Sequence, residues 1–267
     1  MGLTSFNTKQ SVPNDIPESN QYIPGNNLKS QEYLLKIKEW TDKQKMILNE
    51  KKTKLIIFNF TKNYQFGTRL ELNGHNLDIV DRAKLLGVII TNDLKWDANT
   101  ESLVKRANSR MELLRKVASF GTSMEEKKNI YILFIRSILE QSSVVWHSSL
   151  TKENEEDLER VQKSALKIIL GTKFQNYDQA LKDTNLDSLK IRREELCLKF
   201  ARNCLKNEKT KQMFPLRITK HSMVMREEEK FIVQHAKTER LRKSAIPYMQ
   251  RLLNDQKEEE WKRRSPG

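Results

Sequence analysis

The chain has 267 residues, of which 37% are hydrophobic and 31% are charged, and its formal net charge is +14. This length allows a real core, but the composition predicts a modest one under a largely solvated surface. The positive charge favours an acidic partner, either a nucleic acid or an anionic membrane, and residues 172–267 carry 23 Lys and Arg against 14 Asp and Glu. No apolar run approaches the roughly 20 residues of a membrane span, and the N-terminus lacks a signal-peptide pattern, so we expect an intracellular protein with no membrane partner.

The 2 cysteines and 4 histidines are too few and too scattered for the usual disulfide or zinc frameworks. Cys197 and Cys204 are separated by about 10 Å along a predicted helix, which is too far for a disulfide. We therefore expect two reduced thiols and no metal cofactor.

In chain order, residues 1–27 are rich in Pro, Asn, Ser and Gln and predict a flexible leader. An amphipathic helix from about Leu28 to Leu48 and an apolar strand from Leu55 to Phe60 are predicted next. Apolar residues alternate on either side of Asn73-Gly74, which predicts a β-hairpin. Residues 28–95 thus predict a helix and a small antiparallel sheet.

A second apolar run, Leu85 to Thr91, predicts a buried strand that ends in a turn at Asn92-Asp93. Residues 96–171 then predict a bundle of three amphipathic helices. The first begins near Thr100, a capping box of Ser123 and Glu126 begins the second, Thr151 caps the third, and Gly171 ends it. The predicted buried residues are Val104, Ala107, Met111, Leu114 and Ala118 in the first helix, Ile130, Phe134 and Ile138 in the second, and Leu158, Val161, Ala165 and Ile168 in the third.

Residues 172–256 predict a basic helical region, with a short helix near Tyr177 and a longer one from Leu189 to Leu205. The predicted buried residues of the longer helix are Ile191, Leu196, Phe200 and Cys204. Residues 257–267 are charged and predict a disordered tail. The whole sequence predicts an α+β fold that is predominantly helical: a small antiparallel sheet, then a three-helix bundle, then the basic helical region.

Basic residues on the predicted helices are the main candidates for a functional surface. Lys105 and Lys116 fall opposite the apolar stripe of the first bundle helix, and Arg106 and Arg110 fall along one flank. Such side chains bind phosphates without choosing a base sequence. The helical candidates for nucleic-acid binding are Lys105, Arg106, Arg110, Arg115, Lys116, Arg192 and Arg193, which Arg240, Arg242 and Lys243 would extend. The alternative is that these charged side chains lie on solvated helix faces and bind no ligand.

Six sequence blocks occur in order between residues 83 and 171: K-L-L-G-V-I-I, L-K-W, K-R-A-N-S-R, Y-I-L-F-I-R-S-I-L-E, V-V-W-H-S-S-L-T and L-E-R-V-Q-K-S-A-L-K-I-I. This order resembles the segment after the catalytic palm in reverse transcriptases of non-LTR retrotransposons of the LINE (jockey/CR1-like) type. In that family L-G-V lies on the β-turn that grips the primer, and the following helices form the thumb. The resemblance implies that Leu86 and Gly87 contact nucleic acid and that residues 96–171 are thumb-like. Leu85 departs from the family, which usually has Tyr there.

The resemblance extends upstream, where the family has an L-x-x-I-x-x-W helix and an N-x-x-K-T-K strand near the end of the palm. The matching residues are Leu34, Ile37, Trp40, Asn49, Lys52, Thr53 and Lys54. A lysine of this motif lies near the phosphates of the incoming nucleotide in the family, which makes Lys52 and Lys54 candidate site residues. The alternative is a solvated lysine pair before an edge strand.

The family's Y-x-D-D turn, whose aspartates hold Mg²⁺, should lie just before residue 11, and the sequence contains no Asp-Asp pair. We therefore expect a truncated RNA-directed DNA polymerase that does not polymerise alone, binds RNA or an RNA/DNA duplex weakly, and has no cofactor of its own. Mg²⁺ would belong to the missing catalytic palm, and the remainder of the polymerase would be a partner in the cytoplasm or nucleus.

Residues 105–148 also resemble a segment described as the N-terminal region of an AlkB-type tRNA-modifying dioxygenase and methyltransferase. Neither an H-x-D iron motif nor a G-x-G loop is present to carry that chemistry. The remaining alternative is a non-enzymatic helical interaction module whose basic surface binds an acidic protein.

Overall fold

The structure, a computed structural model, describes residues 27–60, 69–216 and 230–264. The chain divides into two compact units, one of Met1–Leu55 with Phe60–Ile79 and the other of Ile56–Asn59 with Val80–Gly267. It is predominantly helical with small sheets, as the sequence predicted. The predicted leader lies almost wholly outside the described residues. No described helix is both long enough and apolar enough to cross a bilayer.

Among its described residues, the first unit contains one helix and two pairs of short strands. The elements are α1 (Asn27–Lys43), β1 (Lys54–Leu55), β2 (Glu71–Leu72), β3 (His75–Asn76) and β4 (Asp78–Ile79). Strands β2 and β3 are antiparallel, and the two residues between them, Asn73 and Gly74, both have positive φ, which suits a tight hairpin turn. Strands β1 and β4 are parallel. Their apolar cluster comprises Leu70, Leu72 and Leu77 with Leu34, Leu48 and Leu55 packed against it.

The predicted strand from Leu55 to Phe60 is wrong beyond its first residue, because regular pairing ends with β1 at Leu55. Apolar side chains favour a strand, but a strand also needs a neighbour for its backbone N–H and C=O groups. Within the described residues β1 pairs only with β4, over two residues.

The second unit begins with a hairpin of β5 (Arg82–Leu85) and β6 (Val88–Thr91). Leu85 pairs with Val88, so Leu86 and Gly87 form a two-residue turn, and their φ angles are +48° and +88°. The single strand predicted from Leu85 to Thr91 is therefore wrong. Gly87 accommodates positive φ at little cost, and a turn here lets both strands pair.

The hairpin packs against the helices that follow it. Val88 belongs to their apolar core, and the Ile89 amide donates a hydrogen bond to the Asn99 side chain at 3.1 Å. The sequence-based division had instead grouped it with residues 28–95. The helices of the second unit are α2 (Asp97–Ser119), α3 (Met124–Ile130), a π-helix (Tyr131–Arg136), α4 (Ser137–Leu139), α5 (Ser143–Trp146), α6 (Lys152–Leu170), α7 (Tyr177–Thr184), α8 (Leu189–Leu205), α9 (Glu208–Lys211), α10 (Glu239–Arg242) and α11 (Ala245–Arg264), with 3₁₀ turns at His147–Ser149 and Gly171–Lys173.

Several predicted helix ends are confirmed. The Ser123 side chain accepts from the Glu126 amide, and the Glu126 carboxylate accepts from the Ser123 amide, so both halves of the capping box are formed. Thr151 caps α6 through the Asn154 amide, and Gly171 ends α6 with φ +55°. The end predicted at residue 257 is wrong, because α11 continues to Arg264. The buried apolar residues of α11, Met249 and Leu253, lie before residue 257, so the charge pattern beyond them did not indicate where the helix ends.

The main core of the second unit lies between α2, the π-helix and α6. Ala107, Met111 and Leu114 of α2 are buried as predicted, whereas Val104 is only partly buried and Leu103 takes the inner position. The predicted stripe of the second helix is wrong: Phe134 is 45% exposed, and the inward row is Tyr131, Ile135 and Leu139. The sequence has two apolar rows one residue apart, and the row with Tyr131 faces the core. There the buried Tyr131 hydroxyl donates a hydrogen bond to Oε1 of Gln162 at 2.5 Å, which satisfies its polar group.

A second apolar cluster joins α8 and α11. It comprises Cys197, Ala201, Cys204, Phe214, Phe231, Met249 and Leu253. Both cysteines are free and buried, and burial raises the pKa of Cys197 to about 12. The thiol is therefore an unreactive core group.

Candidate nucleic-acid interface

The turn between β5 and β6 exposes the side chain of Leu86 to solvent and places Gly87 close to the side chain of Gln141. Leu86 is 90% exposed at the tip. A Cβ on Gly87 would collide with Nε2 of Gln141, so only glycine fits this close approach without displacing Gln141. The turn therefore lies directly against Gln141, which follows α4.

Gln141 also connects this turn to α2. Its Oε1 accepts a hydrogen bond from Nη1 of Arg106 at 2.9 Å, and its backbone oxygen accepts from the indole of the buried Trp146 at 3.0 Å. Trp146 is therefore a core residue that helps to fix Gln141. The fold thus brings Leu86, Gly87 and Arg106 together, although almost twenty residues separate them along the chain.

Beside Arg106, a groove of about 430 Å³ runs between α2 and the helical segment of the π-helix and α4. Arg110 is exposed in it, and its side chain has no ion pair or hydrogen bond within the described residues. The opposite wall carries Leu133 and Phe134, which are 64% and 45% exposed. The lining consists of Arg106, Ser109, Arg110, Leu133, Phe134, Ser137 and Ile138, so it contains two cations and no carboxylate.

The other candidate residues of α2 divide between two faces. Lys105 and Lys116 are exposed, and they lie about a quarter turn around the helix axis from Arg106. Arg115 follows Arg106 by nine positions, which turns it about 180° around the helix axis, and it pairs with Glu112 at 3.4 Å. Arg115 is therefore separated from the groove.

The arginines of α8 are engaged within the protein. Arg192 pairs with Glu140 at 3.2 Å and with Glu195 at 3.1 Å, and it is partly buried. Binding a phosphate there would require these carboxylates to be displaced. Arg192 is therefore a bridge between α8 and α4 in this structure rather than a free surface cation.

Arg193 corrects the sequence-based surface patch, because it is fully buried. Its Nε donates to Nδ1 of His147 at 3.2 Å, and its guanidinium lies 5.9 Å from the Trp146 ring centroid. Burial lowers the pKa of Arg193, and burial together with the Arg193 charge lowers the pKa of His147 to about 3. The predicted inward row of α8 is confirmed at Cys204 but wrong at Ile191 and Phe200, which are exposed. The other residues that face the core are Leu189, Arg193, Cys197 and Ala201.

Lys52 and Lys54 belong to the first unit. Lys52 is exposed, whereas the Lys54 amine lies 2.5 Å from the Asp78 carboxylate across the β1–β4 ladder. This hydrogen bond and the charge of Lys54 lower the pKa of Asp78. Lys54 is thus already neutralised by a strand partner.

Within the described residues, no three His, Cys, Asp or Glu side chains converge as metal ligands would. The acidic run at the start of α6 is divided between different partners: Glu155 lies 3.7 Å from Lys190, and Asp157 lies 2.8 Å from Arg160. Neither family models, curated proteins nor solved structures gave a match to this chain.

Sequence analysis does not identify two residues of the candidate site, Gln141 beside the groove and Phe134 on its wall. Gln141 carries no recognisable motif, and only its contacts with Gly87 and Arg106 identify it. Phe134 had been placed in the core. The available signal was the competing apolar row of Tyr131, Ile135 and Leu139, which would have turned Phe134 outward.

Proposed function

We propose that this chain is the palm-end and thumb portion of a non-LTR reverse transcriptase, and that it binds a template–primer duplex of RNA or RNA/DNA without polymerising. In this proposal α2, the helical segment from α3 to α4, and α6 form the thumb. Support comes from the ordered sequence blocks and from the two-residue turn at the L-G-V block, where Leu86 is exposed.

The observation that carries the proposal is the joint formed by Gly87, Gln141 and Arg106. It places the turn that the resemblance assigns to primer contact beside two arginines on a groove without carboxylates. Guanidinium groups bind phosphate oxygens through paired N–H donors, and such contacts are insensitive to base sequence. The predicted binding is therefore weak, general and dependent on salt.

Fluorescence anisotropy with a labelled blunt RNA/DNA duplex over a series of salt concentrations tests this proposal. Each phosphate contact contributes about 0.9 to the slope of log affinity against log salt, so Arg106→Glu with Arg110→Glu should reduce that slope by about 2. Arg115→Glu is the matched control for the single Arg110→Glu variant, because it makes the same charge change on the other side of α2.

A flat salt response in the wild-type protein would overturn the proposal. So would an Arg115→Glu variant that loses as much affinity as Arg110→Glu, since the binding would then follow net charge rather than the groove. In primer extension with Mg²⁺ we expect no nucleotide incorporation by this chain, because the carboxylates of the described residues form no metal-binding group.

A further inference from the structure

The groove between α2 and the π-helix exposes an aromatic ring where a core residue was expected. Phe134 is 45% exposed, and Leu133 beside it is 64% exposed. They lie on a π-helix of six residues, a conformation that is rare and often found at functional sites. Together they form an exposed apolar surface on one groove wall, which is suited to a partner with an apolar face.

The opposite wall of the groove is cationic. Arg106 donates only to the neutral Gln141, and Arg110 has no partner within the described residues. The hydroxyl groups of Ser109 and Ser137 also line the groove. Cations facing an aromatic ring, with no carboxylate between them, complement a ligand that combines negative charge with a flat apolar surface.

A nucleotide with an unpaired base is such a ligand. In a blunt duplex the base faces are hidden by stacking, so a duplex can use the arginines but not the ring. Single strands are bound by a positively charged groove together with aromatic side chains on which bases stack. The volume of about 430 Å³ also falls within the range of about 300–1,000 Å³ typical of small-ligand sites.

We propose that this groove binds single-stranded nucleic acid, with an unpaired base stacked on Phe134 and its phosphate held by Arg110 and Arg106. This inference rests on the proposed function and narrows it: the strand extending beyond a duplex, rather than the duplex alone, occupies the groove. The arginines bind the phosphates of a duplex and of a single strand alike, whereas the Phe134 ring stacks only on an unpaired base.

The experiment compares three labelled ligands by anisotropy: a blunt RNA/DNA duplex, the same duplex with a short single-stranded extension, and the single strand alone. Phe134→Leu removes the aromatic face but keeps an apolar side chain, and Phe134→Tyr restores the ring. Loss of one stacked base corresponds to about tenfold or more in affinity. We expect Phe134→Leu to lose about tenfold on the two ligands with unpaired bases and less than about twofold on the blunt duplex, and Phe134→Tyr to bind like the wild type.

A second readout reports stacking directly. A 2-aminopurine base placed in the extension should lose fluorescence when the wild-type protein or the Phe134→Tyr variant binds, but not when Phe134→Leu binds. Phe200→Leu is the matched control, since it makes the same change at an exposed phenylalanine that does not line the groove, and it should keep the fluorescence change. Circular dichroism of each variant verifies that it is folded.

The outcomes separate the two proposals. If the wild-type protein binds the blunt duplex through Arg110 but Phe134→Leu changes no ligand's affinity, or changes all three equally, the stacking inference is overturned and the proposed function stands. If the wild-type protein binds none of the three ligands, both fail. Displacement of bound oligonucleotide by an acidic peptide, with retention of the peptide by Phe134→Leu, would overturn the inference in favour of a protein partner.

Discussion

The arginines of α2 and those of α8 have similar sequence surroundings but different structural ones. Arg106 and Arg110 lie on a groove without carboxylates, and Arg106 contacts only the neutral Gln141. Arg192 is paired with two glutamates, and Arg193 is buried against His147. A count of positive charges treats all four alike, but only the α2 pair is available to a ligand, while the α8 pair holds helices together.

The largest expected effect is on stability and comes from Arg193. Arg193→Ala should lower the free energy of unfolding by about 3 kcal/mol, because it opens a cavity and leaves His147 without its donor. Arg193→Met should cost less, since it fills the space and removes Nη1 and Nη2, which are buried without hydrogen-bond partners in this structure.

Urea unfolding measures both changes. Lys199→Ala is the control on the same helix, since Lys199 is exposed, and it should remain within about 0.5 kcal/mol of the wild type. Equal losses for Arg193→Ala and Lys199→Ala would remove the distinction between the two pairs of arginines.

The next effect is a pH dependence that arises from the same buried contact. Nδ1 of His147 accepts from Arg193, so the folded imidazole is neutral, and burial followed by the charges of Arg193 and Lys190 lowers its pKa from 6.5 to about 3. Between pH 6.5 and about 3, His147 binds a proton in the unfolded chain but not in the folded chain. The stabilising contribution is thus complete above that pH and is lost progressively as the pH falls toward 3.

At pH 5 this linkage should cost about 2 kcal/mol, at about 1.4 kcal/mol per pH unit. Urea unfolding at pH 7.5, 6 and 5 measures it, and His147→Gln should flatten the difference because glutamine does not titrate. Parallel pH profiles for the two proteins would show that His147 is not held neutral by the fold.

A smaller effect on stability is expected at the β5–β6 turn, which lies beside the groove. Gly87→Ala should cost about 1 kcal/mol of stability, because φ is +88°, and should also weaken duplex binding, because the new methyl group displaces Gln141 from Arg106. Urea unfolding and duplex anisotropy measure the two consequences separately.

Gly121→Ala is the matched control, since Gly121 has φ +71° and nothing within 4 Å of an added Cβ. It should lose similar stability and keep its affinity. If both variants bind duplex equally well, Gln141 does not orient Arg106 for the ligand.

Local sequence signals predicted the ends of helices better than their faces. The capping box at Ser123 depends on residues three apart and was identified from the sequence. The inward face of a helix depends on which neighbour it meets, and both the helix with Phe134 and α8 have two apolar rows to choose from. The sequence-based choice of row therefore predicted a buried Phe134 and an exposed Arg193, and the structure shows the reverse.

The candidate site was therefore only partly predictable. Arg106 and Arg110 followed from their position on the flank of an amphipathic helix, and Leu86 and Gly87 followed from the resemblance. Gln141 required the tertiary structure, because its contacts are with residues 35 and more positions away in the sequence.

The smallest expected effect concerns Lys54, which tests whether a cation already paired within a sheet contributes to binding. Its amine lies 2.5 Å from Asp78, so contact with a phosphate would first have to break that pair, and the net gain should be small. Lys54→Gln should change duplex affinity by about twofold or less at moderate salt, well below the effect of Arg110→Gln, since no described carboxylate neutralises the Arg110 guanidinium. Lys52→Gln makes the same charge change at an exposed lysine two residues away. Anisotropy that showed Lys54→Gln to be as damaging as Arg110→Gln would mean that pairing with Asp78 yields readily to a ligand, and that the distinction between paired and unpaired cations does not define the interface.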